Sequence, residues 1–261
     1  MFASLQTIET RSASGSSPFG WVHRAVLPAQ TQRAQTQPTQ THPAQTQPAR
    51  RADSHMLMTL EPGASTLCVD KDREIYSQGD PAEFCYRILS GTVRTVKLME
   101  DGRRQVAEFV LPGDFFGLDA LDEHDLAAEA VSAVVLRRYA RRTVEALADH
   151  DPDVARQLRV LASAKLQAAR EQMMLLGRKT AVERIASFLS DMTLRLPHGQ
   201  DGRIALTMSR ADIADHLGLT IETVCRTLAC LRRDGVIEMA REAVAIRDAR
   251  SLHALACDPR Y

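Results

Sequence analysis

The chain has 261 residues with 33 Lys plus Arg against 33 Asp plus Glu, so its net charge of +0 gives no overall attraction to nucleic acid, and any basic face must be local. No apolar run approaches the ~20 residues of a membrane span, and the opening MFASLQTIETRSASG lacks the basic start and apolar core of a secretory signal. Five scattered cysteines (Cys68, Cys85, Cys225, Cys230 and Cys257) suit a reducing cytoplasm better than a disulfide framework, so a cytoplasmic protein of two small domains plus a tail is expected.

Residues 1–53 are compositionally distinct. Gln30 to Pro48, QTQRAQTQPTQTHPAQTQP, is a Gln/Thr/Pro repeat with almost no apolar side chains. It cannot bury enough surface to offset its ordering entropy, so a disordered tail is expected, with Met56 or Met58 as a candidate start.

Residues 57–148 read as short strands. Arg73–Tyr76, Phe84–Leu89, Thr92–Leu98, Gln105–Val110 and one long apolar strand, Ala130–Tyr139, are separated by Gly-Asp, Ser-Gly, Asp-Gly and Pro-Gly-Asp turns. This pattern predicts a jelly roll or barrel, and its turns resemble the cyclic-nucleotide-binding β-roll. In nucleotide-binding members of that family the resemblance implies an Arg on the short helix after Pro-Gly-Asp, to neutralise the phosphate. Here no Arg lies between Asp114 and Arg137, and Asp119, Asp122, Glu123, Asp125 and Glu129 would repel a phosphate. Cyclic nucleotide is therefore not expected.

Other cofactors find no ligand set in the sequence. A jelly-roll metalloenzyme needs clustered histidines, and the roll holds only His124, so no enzyme is expected. Cys68 and Cys85 read as small buried hydrophobes, and no cysteine precedes them to hold an iron–sulfur cluster. A haem or small metabolite in the roll stays open as an alternative, with His124 or His150 as haem ligand; both read more simply as surface histidines.

Residues 149–177 form a long helical pattern. Leu158, Ala162, Leu166, Ala169, Met173 and Leu176 recur every three or four residues, which predicts a dimerisation seam or a face packed on the roll. Gly177 is the expected hinge. Residues 178–261 then read as a helix over Lys179–Leu196, a short strand at Ile204–Leu206, two helices split at Gly218, and a hairpin wing from Val236–Met239 and Ala243–Ile246. Ser209 and Asp212 approximate a capping box, and Thr220 caps the second helix. Ile221, Val224, Leu228 and Leu231 form that helix's expected core stripe. The fold class is thus α+β: an N-terminal β-roll, a dimerisation helix and a C-terminal winged helix-turn-helix.

Glu222 and Arg226 lie opposite the stripe, one turn apart near a helix start. An Arg fork fits guanine O6 and N7, and a carboxylate accepts from cytosine N4, so the pair is either a base reader or an ordinary i,i+4 surface pair. The stretch MSRADIADHLGLTIETVCRTLACLRRDGVI resembles the DNA-binding helices of the CRP/FNR regulators, FixK-like branch, whose reading helix carries E-x-x-S-R; Cys225 stands where many relatives have Ser. LLGRKTAVERIASFL resembles the hinge and following helix of that family.

The resemblance implies a homodimeric transcription regulator, expected to be an activator, on a TTGAT…ATCAA-type palindrome in double-stranded DNA. Arg226 would read the guanine, Glu222 its paired cytosine, and Cys225 the neighbouring thymine. It further implies genes of low-oxygen respiration or nitrogen fixation; activation would need RNA polymerase as a partner, and no cofactor is expected, because the sequence offers no ligand set for one. Ser209, Arg210, Thr220 and Thr223 complete the expected DNA-contacting set, with Arg232, Arg233, Arg241 and Arg247 as further phosphate contacts. Cys225 lies near a helix start and beside Arg226, so oxidation there would place negative charge against DNA.

Overall fold

The computed structural model describes residues 63–118, 122–241 and 243–257. The expected tail and Asp119 lie outside them. Two antiparallel four-stranded sheets make the roll. One runs β1–β8–β3–β6, from Ser65–Val69, Val134–Ala140, Phe84–Ser90 and Phe115–Phe116; the other runs β2–β7–β4–β5, from Glu74–Tyr76, Ala127–Ala130, Val93–Leu98 and Arg104–Val110. Alternate side chains of both sheets turn inward and fill the roll with Tyr76, Tyr86, Ile88, Val93, Phe116 and Leu136.

The expected single strand Ala130–Tyr139 is in fact two strands in different sheets. The chain changes sheet at Val131–Ala133, where Gly91 approaches at φ +87, and a Cβ there would stand 2.3 Å from the Ala133 carbonyl oxygen. A long apolar run hides such a corner because its burial is continuous. Gly91→Ala is expected to cost about 1–3 kcal/mol for the left-handed backbone alone, with the overlap adding to it. A thermal or urea midpoint unchanged from the parent would contradict this.

The outer face of the β1 sheet is covered by α1 (Arg141–His150) and the start of α2 (Pro152–Arg178). Val144 and Val154 are buried there on Cys85, Phe115 and Tyr139, with Leu158 and Leu161 packed alongside. Burial pushes the Cys85 thiol up to about 12, as expected of an inert core cysteine, whereas Cys68, expected to be buried as well, is exposed. Gly177, the expected hinge, is helical. The break comes at Lys179–Thr180, where a Thr180–Glu183 capping box starts α3 (Ala181–Arg195).

The C-terminal part adds β9 (Ile204–Ala205), α4 (Arg210–Leu217), α5 (Ile221–Arg233), the wing β10 (Ile237–Ala240) and β11 (Ala243–Ile246), and α6 (Ala249–Ala256). Its core of Ile185, Leu189, Ile213, Leu217, Val224, Leu228 and Leu231 is continuous with Val96, Val106 and Phe109 from the outer face of the second sheet. The helix-turn-helix is therefore packed directly against the roll. No described helix is long and apolar enough to cross a membrane.

Candidate nucleic-acid interface

The two helices of the motif are shaped by local chemistry. Ser209 and Asp212 cap α4 reciprocally, with Asp212 N–H donating to Ser209 Oγ at 3.1 Å and Ser209 N–H donating to Asp212 Oδ2 at 3.0 Å. Gly218 ends α4 in the left-handed conformation, φ 60, which turns the chain sharply enough for α5 to cross α4. Thr220 then caps α5 by accepting from Thr223 N–H at 3.2 Å. Val224, Thr227, Leu228 and Leu231 face the core.

Glu222, Cys225 and Arg226 are all exposed on the opposite side of α5, as a single face. Among the described residues no ion pair joins Glu222 to Arg226. Its own backbone amide and the nearby Thr220 hydroxyl hold the Glu222 carboxyl below the usual carboxylate range. It is therefore an ionised acceptor at neutral pH, and the Arg226 guanidinium projects free of it. Thr220 and Ser209 are exposed and serve as caps, while Thr223 and Arg210 are half-buried at the two helix starts. Cys225 is an exposed free thiol, and Cys230, five residues on, is half-buried and also free.

Ile221 departs from the expected core stripe. It is 46% exposed, beside Glu222 at the very start of α5, where the helix has not yet met the core. The signal was available: the first turn of a reading helix must stand clear of its domain to enter a groove. Of the expected phosphate contacts, Arg247 pairs with Glu238 and Arg233 with Asp234, whereas Arg232 and Arg241 are exposed and make no ion pair among the described residues. Arg241 sits in the wing turn at φ 52.

The turn between α4 and α5 is held by a residue that sequence reasoning missed. Arg184 Nη1 donates to Leu217 O at 2.8 Å, Nη2 to Leu176 O at 2.8 Å, and Nε to Lys179 O at 2.9 Å. One guanidinium thus ties the end of α2, the start of α3 and the end of α4 together. A cation over helix-terminal carbonyls is favourable on dipole grounds as well.

The seam residues divide along α2. Ala162, Leu166, Ala169 and Met173 are exposed, Leu166 at 53% and Met173 at 64%. Leu158 is half-buried on the roll, and Leu176 is half-buried close to Gly218. Within the roll, His124 is 4% exposed and stacks on Tyr76 at 3.6 Å between ring centroids, so it is a core ring rather than the expected surface histidine. His150 is exposed, with Nδ1 2.7 Å from Ala146 O.

The chain matches two known domain families: residues 183–255 the Crp-like helix-turn-helix domain and residues 67–151 the cyclic nucleotide-binding domain. It is 45% identical to the nitrogen fixation regulation protein FixK of Azorhizobium caulinodans, over 71% of this chain and 76% of that one. It is 42% identical to FixK of Rhizobium meliloti, over 69% of this chain and 78% of that one. Among solved structures it is similar to FixK2 from Bradyrhizobium japonicum, at 44% identity and a TM-score of 0.71, over 74% of this chain and 96% of that one.

Proposed function

We propose a function from a plain premise: this chain belongs to the CRP/FNR family of transcription regulators. It is a DNA-binding regulator, not an enzyme, and it resembles regulators of nitrogen fixation. In our reading it binds a TTGAT…ATCAA-type palindrome as a homodimer, with Arg226 on the guanine and Glu222 on the paired cytosine. It then activates low-oxygen or nitrogen-fixation genes in the cytoplasm by engaging RNA polymerase.

The observation that carries this reading is the bare α5 face. Glu222 and Arg226 are both exposed there, and no ion pair joins them among the described residues. A surface ion pair would have spent both groups on each other. The test is footprinting on the palindrome: symmetric protection of both half-sites is expected, abolished when the guanine of each is replaced. Protection indifferent to that guanine would contradict the reading.

No small-molecule effector enters this reading, which is supported by aromatic rings packed together between the sheets. Tyr76, Tyr86 and Phe116 lie within 5.1 to 6.1 Å of one another, and His124 stacks on the first. The aspartate of the Pro-Gly-Asp turn is also engaged elsewhere, since Asp114 accepts from Leu111 N–H at 2.9 Å and from Arg195 at 2.6 Å.

Control instead passes through Cys225, exposed on the same face as Arg226. Oxidation to a sulfinic or sulfonic acid adds a negative charge facing the DNA and repels it. Peroxide is expected to weaken binding of the parent and to leave Cys225→Ser unaffected. Equal loss in both would remove Cys225 from the account.

A further inference from the structure

The roll-facing side of α4 is anchored by polar contacts drawn from β4 and β5. Asp212 spends one carboxylate oxygen on the Ser209 cap and the other on two guanidiniums, accepting from Arg94 Nη1 and Arg104 Nη2 at 2.8 Å each. Its side chain is only 3% exposed. Burial opposes its charge, yet the Ser209 hydroxyl and amide and the two guanidiniums outweigh this and keep its carboxyl below the ordinary value. Arg104 also reaches Asp215, Nε to Oδ2, at 2.6 Å. Gln105 donates to the carbonyls of Asp215 and His216, and the His216 ring, packed between Phe109 and Phe188, donates from Nδ1 to Val106 O at 3.1 Å. Arg94 is itself braced by Glu129 at 2.6 Å.

Three consecutive residues of β5, together with one of β4, thus grip the N-terminal cap, the middle and the C-terminal end of an eight-residue helix. Arg94–Asp212 is largely buried, and Arg104 and Asp215 are each 30% exposed; such pairs contribute little net stability relative to apolar side chains of similar shape, but their directional bonds favour a narrow range of geometries. A network of this kind is poorly suited to being glue and well suited to fixing an angle. Because α4 and α5 share one core and one Gly218 turn, whatever orients α4 orients the reading helix.

We propose that Arg94, Arg104 and Gln105 are positioning residues for DNA recognition: they lock α4 to the roll and so set the separation of the two reading helices in the dimer. This rests on the homodimer and palindrome reading above. Two locked helices match one half-site spacing. Inserting one base pair moves a half-site about 3.4 Å along the duplex and turns it by about 35°, given roughly 10–10.5 base pairs per turn. A loose joint would follow that change, whereas a locked one would not.

The test uses the full chain and the double variant Arg104→Met with Gln105→Leu. Arg94 stays in place, so the Asp212 carboxylate keeps a partner, and none of the DNA-facing residues is touched. Affinity is measured for the best-bound palindrome, for duplexes one base pair longer and shorter between half-sites, and for a duplex with its guanines replaced. The parent is expected to prefer its own spacing by about tenfold or more, and the variant by about twofold or less, with guanine dependence and cooperative melting retained. A purely structural role would lower affinity for every spacing alike, and that outcome, or an unchanged spacing preference, would overturn the inference. A parent without any spacing preference would overturn the palindrome reading and this inference with it. Should the double variant not fold, Arg104→Lys serves. It keeps a charge but cannot span Asp212 and Asp215 together, so partial loss of spacing preference is expected, and full retention would overturn the proposal.

Discussion

Arg226→Ala is expected to reduce selective DNA binding to near the non-specific level. A bidentate Arg–guanine contact is worth ~1–3 kcal/mol of discrimination, about 5- to 140-fold, and a homodimer loses it at both half-sites. The side chain is exposed and makes no ion pair among the described residues, so its removal should leave the fold intact. Arg226→Lys is the sharper control. It preserves the positive charge and so the salt dependence of binding, but lacks the planar fork. Selectivity should fall nearly as far as with alanine while the salt slope stays close to the parent's. If the lysine variant binds selectively, Arg226 acts through charge, and the base-reading role assigned to it is wrong.

The second large effect is expected from the seam on α2. Leu166 and Met173 lie seven residues apart, the heptad spacing of a helix pair, and are 53% and 64% exposed in the single chain. Changing both to glutamate costs the isolated chain little, because neither side chain is packed within it. In a symmetric dimer the same change places four carboxylates in an apolar seam, and each unpaired buried charge costs several kcal/mol. Light scattering should report a monomer with cooperative melting, and binding to the full palindrome should drop to that of a single half-site. A variant that stays dimeric would mean that the chains pair through another face.

How much of this was legible in the sequence follows from the range of the interactions. The helix-turn-helix is governed by contacts within four residues, so Ser209, Asp212, Gly218 and Thr220 announced it, and the Val224, Leu228 and Leu231 stripe fixed which side of α5 faces inward. The roll was legible through its turns, but β1 and the split of Ala130–Tyr139 were not, because their identity depends on which sheet they join. The helix α1 was missed for a local reason: Ala140 supplies no side-chain cap and Val144 is its one buried residue. The helix α6 was missed although its signals were present, with Asp248 accepting from Ser251 N–H at 3.0 Å and Leu252 and Ala256 one turn apart.

Illegible altogether was the grip of the roll on α4. Arg94 and Arg104 meet Asp212 across 118 and 108 residues of chain, and in the sequence they look like any charged residues on a strand. Arg184 is similar. It reads as one more exposed basic residue on a helix, yet its guanidinium closes the junction of α2, α3 and α4. The local pattern therefore suggested Glu222 and Arg226 as candidate base readers, but not the contacts that join α4 to the roll.

We expect this chain to bind its site selectively without an effector. The most direct test measures the reduced, ligand-free protein on a TTGAT…ATCAA duplex and on a scrambled duplex across a salt series. Both affinities should fall with salt through the shared phosphate contacts, while their ratio stays at about 10³ or more. Weak binding with a ratio near one at every salt concentration would contradict the account and direct attention to a missing ligand in the roll.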